Sequence, residues 1–241
     1  MADHAPADLS RLHAIVPVRG SGVGKSRLGE ALDPEERLAL VVGMLAQTLT
    51  ALAAWPACEA VHVVTGDPYV RRLVRNAATG SQAVADDDST DLNEALLRGR
   101  DRALTRGATC VLYLPADLPQ VTTDALDGLL EAADAALAAG SGSPIVVVAP
   151  ADARVGTNAL LVAPPQTIDP LFGESSLEAH LSAAALADAS VQIVDDAALG
   201  FDLDTPDDLL RLDTYRLLEI QALGQAAIDA LVDPVASAGA A

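Results

Sequence analysis

Residues 110–117 read CVLYLPAD, and the architecture turns on this stretch. Five apolar residues in a row, with no polar alternation, describe a strand buried on both faces, as in a parallel sheet covered by helices. The strand is closed by Asp117, which leaves a carboxylate at its tip.

Working outward, other strand-length runs occur at residues 13–18 (HAIVPV), 60–65 (AVHVVT), 82–86 (QAVAD), 144–150 (PIVVVAP), 159–163 (ALLVA), 191–196 (VQIVDD) and 201–204 (FDLD). Stretches of helical period separate most of them. The clearest opens at Asp33-Pro34-Glu35-Glu36, an N-cap, an N1 proline and two first-turn acids, and carries its apolar face on Leu38, Val41, Val42, Leu45, Leu49 and Leu52. Further helices are expected over residues 68–76, 92–105, 123–139, 174–186 and 206–223. The alternation predicts βα units in a three-layer α/β/α arrangement around a mostly parallel, mixed sheet of about seven strands.

A chain of 241 residues suits one large domain. Residues 11–225 are expected to form it, with residues 1–10 and 234–241 as disordered tails. Alanine supplies much of the 51% hydrophobic content. No run approaches the ~20 apolar residues that span a bilayer, and the polar opening MADHAPADLS lacks the pattern of a secretory signal. The expectation is a cytoplasmic protein with no membrane partner. Cys58 and Cys110 stand alone, without metal-ligand or disulfide spacing.

Fifteen basic residues against 34 acidic ones give a net charge of -19, which excludes nucleic acid as a partner. The few cations are unevenly placed: Arg11, Arg19, Lys25, Arg27 and Arg37 fall within the first 37 residues, and Lys25 is the only lysine.

In open α/β sheets, ligands gather beyond the carboxyl ends of the strands. The loop after residues 13–18 reads RGSGVGKSR, where Gly20, Gly22 and Gly24 let the backbone approach an anion and Arg19, Lys25 and Arg27 neutralise it. It is a phosphate cradle but not a P-loop, because Arg19 stands where the first P-loop glycine would be. Asp117 is placed where a metal bridging phosphates needs a carboxylate, and either Asp202 or Asp204, on one face of the same extended segment, would complete such a site. The run Asp86-Asp87-Asp88 reads as a solvated loop. Asn93, at a helix start, offers paired donors and acceptors for a ribose or base edge. Gly156-Thr157-Asn158 and Gly173-Glu174-Ser175-Ser176 offer small polar groups and helix-start N–H groups for an anion, or are simply capped turns.

The ordered set VPVRGSGVGKSRL, DLNEAL, LPADLP, GTNALL, FGESS and DLDTPDDL, spanning roughly residues 13 to 212, resembles the guanylyltransferases that make the activated precursor of the deazaflavin coenzyme F-420. The resemblance implies a nucleotide-diphospho-sugar-transferase fold and transfer of GMP from GTP to phosphoenolpyruvate or 2-phospho-L-lactate. It matches Asp117 and Asp202 to Mg²⁺ ligands, and Arg19, Lys25 and Arg27 to the triphosphate loop. Thr157 or Asn158, Gly173, and Ser175 or Ser176 match acceptor-binding positions. Arg19 replaces a common lysine, and Asp91 stands where a glycine often precedes the Leu-Asn pair. The implied partners are small molecules, with a homodimer allowed. Competing readings are a nucleotidyltransferase for a sugar phosphate or molybdopterin, and a nucleotide-binding module without turnover.

Overall fold

The computed structural model describes residues 6–18, 25–76, 80–85, 91–140, 142–152 and 155–232. Arg19, Gly20 and the acidic run at residues 86–88 lie outside them. Seven strands form one sheet: β1 (Leu12–Pro17), β2 (Cys58–Thr65), β3 (Gln82–Ala85), β4 (Cys110–Tyr113), β5 (Ile145–Pro150), β6 (Thr157–Ala163) and β7 (Ser190–Ile193). Their order is β3-β2-β1-β4-β6-β5-β7. Only β6 runs antiparallel to its neighbours, β4 and β5. The chain moves outward from β1 to β2 and β3, then returns to place β4 on the other side of β1. That reversal is the switch point at which α/β sheets bind ligands.

Helices cover both faces. Strand residues Ala14, Val16, Leu112 and Leu114 point into one apolar layer with α1 (Pro34–Ala54), α2 (Pro68–Asn76) and α4 (Thr123–Ala138). Ile15, Val111, Tyr113 and Leu160 point into the other with α3 (Leu92–Thr105) and α5 (Ser176–Leu186). The continuous apolar strands follow from this double coverage, because neither sheet face meets water.

α1 opens on a capping box: Asp33 Oδ1 accepts from the N–H groups of Glu35 and Glu36, and Glu36 Oε2 accepts from Asp33 N–H. By length and composition α1 is apolar enough to cross a bilayer, which the sequence reading did not anticipate. Its second apolar face is covered by α8 (Thr214–Val232). Gly43 and Gly224 make the close crossing possible, since a Cβ on Gly43 would lie 1.9 Å from Ile220 O and one on Gly224 would lie 1.8 Å from Ala39 O.

Several expected boundaries shift. Residues 201–204 join no sheet; Leu203 N–H donates to Asp117 O (3.1 Å) instead. The expected closing helix is two, α7 (Pro206–Arg211) and α8, preceded by the single turn α6 (Ala197–Gly200). They are separated because Asp213 caps a new start, its Oδ1 accepting from Tyr215 N–H at 2.7 Å. α5 begins at Ser176 rather than Glu174 because residues 173–175 form a turn with Gly173 at φ 143° and Ser175 at φ 58°. Ala7 and Leu9, expected in a disordered tail, pack against the core.

Candidate active site

The site lies at the switch point, where the carboxyl ends of β1 and β4 meet the amino end of the antiparallel β6. A cavity of about 350 Å³ opens there, lined by Lys25, Asp117, Asn158, Asp202 and Asp204 on its polar side and by Val18, Met44, Leu92, Tyr113 and Phe172 among the apolar groups. That volume falls in the ~300–1,000 Å³ range of small-molecule sites.

Packing brings distant residues to this point. A 3₁₀ turn at Ser26–Glu30 inserts Leu28 into a buried cluster with Leu40, Met44, Phe201 and Leu203. Lys25, which caps that turn at φ 61°, is thereby carried over the segment bearing Asp202 and Asp204. The loop holding Asp117 is pinned by Pro119 O, which accepts from Gln47 Nε2 (3.0 Å) on α1 and Arg216 Nε (3.1 Å) on α8. The bond from Leu203 N–H to Asp117 O ties the two acidic segments together. Asp204 and Thr205 N–H groups donate to Asp208 Oδ2, which fixes the start of α7 just beyond them.

Electrostatics dominate the centre. Lys25 Nζ donates to Asp117 Oδ2 at 2.9 Å and to Asp204 Oδ1 in a short contact. Burial opposes the ammonium charge, yet the two carboxylates outweigh it and hold the Lys25 pKa above its ordinary value. Asp202 shows the reverse: burial first, then the charges of Asp117 and Asp204, push its carboxyl above the usual range. Three carboxylates lining one cavity with a single ammonium leave excess negative charge there, a setting that attracts a further cation. The hard oxygen donors fit Mg²⁺. Among the described residues no three His, Cys, Asp or Glu side chains form a ready metal cage. Asp117, Asp202 and Asp204 therefore do not make up a complete ligand set, and an ion here needs phosphate oxygens as well.

The remaining expected site residues are divided. Asn158 joins the cavity, its Nδ2 donating to Leu199 O (2.9 Å), Gly200 O (2.9 Å) and, at 3.4 Å, Asp202 Oδ1. Thr157 and Ser176 are buried beside it, with Thr157 N–H donating to Ser176 Oγ at 2.9 Å. Ser175 lines a separate shallow cleft with Val155, Leu177 and Glu178. The N–H groups expected to receive an anion at the start of α5 are occupied: Ser176 donates to Gly173 O and Leu177 to Val155 O. Arg27 is exposed on the 3₁₀ turn and does not line the cavity. The paired donor and acceptor of Asn93, expected for a ribose or base, bind the backbone of Phe172 instead, with Nδ2 to Phe172 O at 2.9 Å and Phe172 N–H to Oδ1 at 2.8 Å. Asn93 thus shapes the cavity through Phe172.

Sequence reasoning missed Gln47, Arg216, Phe172 and His180. Each acts through a long-range contact; nothing in the local sequence of Gln47, Arg216 or His180 distinguishes it from a surface or core residue, and Phe172, although it opens the FGESS motif, carries no polar group to mark a role.

Residues 12–215 match the family model described as "Guanylyl transferase CofC like". A protein of Rubrobacter xylanophilus named phosphoenolpyruvate guanylyltransferase is 40% identical over 200 residues, covering 83% of this chain and 92% of that protein. One of Colwellia psychrerythraea named 3-phospho-D-glycerate guanylyltransferase is 29% identical over 199 residues, covering 83% and 90%. The fold is similar to a solved Desulfovibrio desulfuricans G20 protein assigned to the nucleotide-diphospho-sugar transferases, with TM-score 0.67, 20% identity, and 90% and 98% of the two chains covered.

Proposed function

Because the chain belongs to the guanylyl transferase family described as CofC-like, we propose that it transfers GMP from GTP to phosphoenolpyruvate, releasing pyrophosphate, in coenzyme F-420 biosynthesis. The reaction belongs in the cytoplasm, where both substrates reside. The observation that carries this reading is the meeting of Lys25 with Asp117, Asp202 and Asp204 in one cavity at the sheet's switch point.

A phosphate oxygen of the acceptor attacks the α-phosphorus of GTP, the bond between that phosphorus and the bridging oxygen breaks, and pyrophosphate leaves with the electron pair. The acceptor phosphate is already anionic, so no general base is required. Catalysis reduces to positioning and charge neutralisation. Asp117 and Asp202, with Asp204 beside them, would hold Mg²⁺. When bound, the ion neutralises phosphate charge and eases approach of one anion to another. Lys25 exchanges its carboxylate partners for the departing pyrophosphate. Arg27, from its exposed turn, adds to the triphosphate contact, and so do Arg19 and Gly20, which precede it in sequence. The apolar wall bearing Leu92 and Phe172 receives the nucleoside. On the acceptor side Asn158 lines the cavity, with Thr157 and Ser176 packed beside it and Gly173 in the turn that leads to them. The net charge of -19 supports small-molecule substrates over nucleic acid.

The name of the 40% identical relative favours phosphoenolpyruvate; that of the 29% identical one makes 3-phospho-D-glycerate the competing acceptor. Pyrophosphate release is to be measured with GTP, Mg²⁺ and each of phosphoenolpyruvate, 3-phospho-D-glycerate and 2-phospho-L-lactate. The wild type should prefer phosphoenolpyruvate, and Asp117→Asn and Asp202→Asn should each lose about 10²-fold or more. Undiminished release by both variants would remove the proposed site.

A further inference from the structure

His180 lies in α5, fully buried, and reaches in three directions. Its Nε2 is 2.8 Å from the backbone nitrogen of Leu171, its Nδ1 is 3.0 Å from Thr157 Oγ1, and its ring stands edge-on to Phe172 with centroids 5.1 Å apart. A backbone N–H can only donate, so Nε2 carries the lone pair. In a neutral imidazole the hydrogen then sits on Nδ1 and is donated to Thr157 Oγ1. Burial pushes the His180 pKa down to about 4, which keeps the ring neutral in ordinary buffers. The Thr157 hydroxyl, already accepting from His180, has its own hydrogen left to donate elsewhere. The Thr157 N–H donates to Ser176 Oγ at 2.9 Å, one turn before His180 on the same helix. One imidazole thus joins the amino end of β6, the turn leading to Gly173, and α5.

From this geometry we infer that His180 is a positioning residue for the acceptor acid, locking Thr157 and the turn before Gly173 into one arrangement through its Nδ1-protonated ring. The inference rests on the reading above in which Asn158, with Thr157, Gly173 and Ser176 beside it, makes up the acceptor side. His180 itself touches no substrate; on the GTP side Lys25 and Asp117 are held by other contacts, and Phe172, though its ring packs against His180, has its backbone held at both N–H and O by Asn93. Loss of the imidazole therefore loosens acceptor binding selectively.

Three substitutions separate its two bonds. His180→Phe fills the space and removes both, His180→Gln keeps an acceptor for Leu171 N–H, and His180→Asn keeps a donor for Thr157. With phosphoenolpyruvate, His180→Phe should raise the acceptor KM about tenfold, while kcat and the GTP KM stay within threefold; Gln and Asn should fall between Phe and wild type. If the Phe variant does not fold, the Gln and Asn variants carry the test. Nitrogen NMR of the ¹⁵N-histidine-labelled wild type should show His180 protonated at Nδ1 and bare at Nε2. An acceptor KM within twofold of wild type in the folded variants, a parallel rise in the GTP KM, or an Nε2-protonated tautomer overturns the inference. Should the wild type bind GTP yet turn over no phosphorylated acid, the functional reading fails and this inference falls with it; turnover with an unmoved acceptor KM sinks the inference alone.

Discussion

Replacing Asn158 with leucine tests how the acidic segment is held. The side chain is 7% exposed, and its amide nitrogen supplies hydrogen bonds to Leu199 O and Gly200 O, both at 2.9 Å. Leucine preserves the volume and removes the donor. Gly200 O keeps a second partner, the Asp152 N–H at 2.8 Å, so its loss is an ordinary hydrogen bond worth about 1 kcal/mol. Leu199 O is left buried without that partner, a cost of roughly 1–3 kcal/mol. The sum is about 2–4 kcal/mol, a large share of the ~5–15 kcal/mol that stabilises a typical domain. Urea unfolding at neutral pH, followed by circular dichroism, measures the loss directly. The same variant frees Asp202 from the one side-chain donor it has among the described residues, so kcat should fall well beyond the folded fraction lost. A stability change below about 0.5 kcal/mol would refute the reasoning, because a buried carbonyl cannot lose its donor at so little cost.

Gly43→Ala and Gly224→Ala should each destabilise by about 3 kcal/mol or more, since the new Cβ would overlap backbone carbonyls at the α1–α8 crossing; an unchanged Tm would show that the helices separate freely. Acid should weaken the fold between about pH 6.5 and pH 4. Burial lowers the folded-state pKa of His62 and of His180 to about 4, so the unfolded chain binds more protons throughout that window and stability declines as pH falls. Each contributes a loss on the order of 2 kcal/mol by pH 5, readable as a falling urea midpoint. A flat midpoint from pH 7.5 to 5 would contradict it. Asp33→Ala removes the capping box of α1 without touching the cavity lining, and should cost about 1 kcal/mol of stability with kcat unchanged.

The buried character of residues 110–114, the capped start of α1 and the strand-tip carboxylate were legible because each is fixed by local chemistry. Repeated apolar runs show double coverage of a sheet, and Asp-Pro-Glu-Glu carries a complete cap. Lys25 stood out by being the only lysine. What escaped the sequence depends on contacts between distant segments. Residues 201–204 read as a strand because their alternation is genuine, yet their hydrogen-bond partner is Asp117 O rather than a ladder. Asn93 looked like a ligand group because its amide has the right donors and acceptors, and only the fold reveals that Phe172 takes them. His180, a single ring within SLEAHLSAAAL, has nothing beside it in sequence to mark the Leu171 and Thr157 contacts.

On the proposed reaction, the cavity joins two phosphates into an unsymmetrical diphosphate. Phosphorus NMR of the protein with GTP, Mg²⁺ and phosphoenolpyruvate tests it most directly. A new pair of coupled diphosphate doublets should grow in step with pyrophosphate. Inorganic phosphate alone, or spectra that stay those of the starting materials, would contradict it.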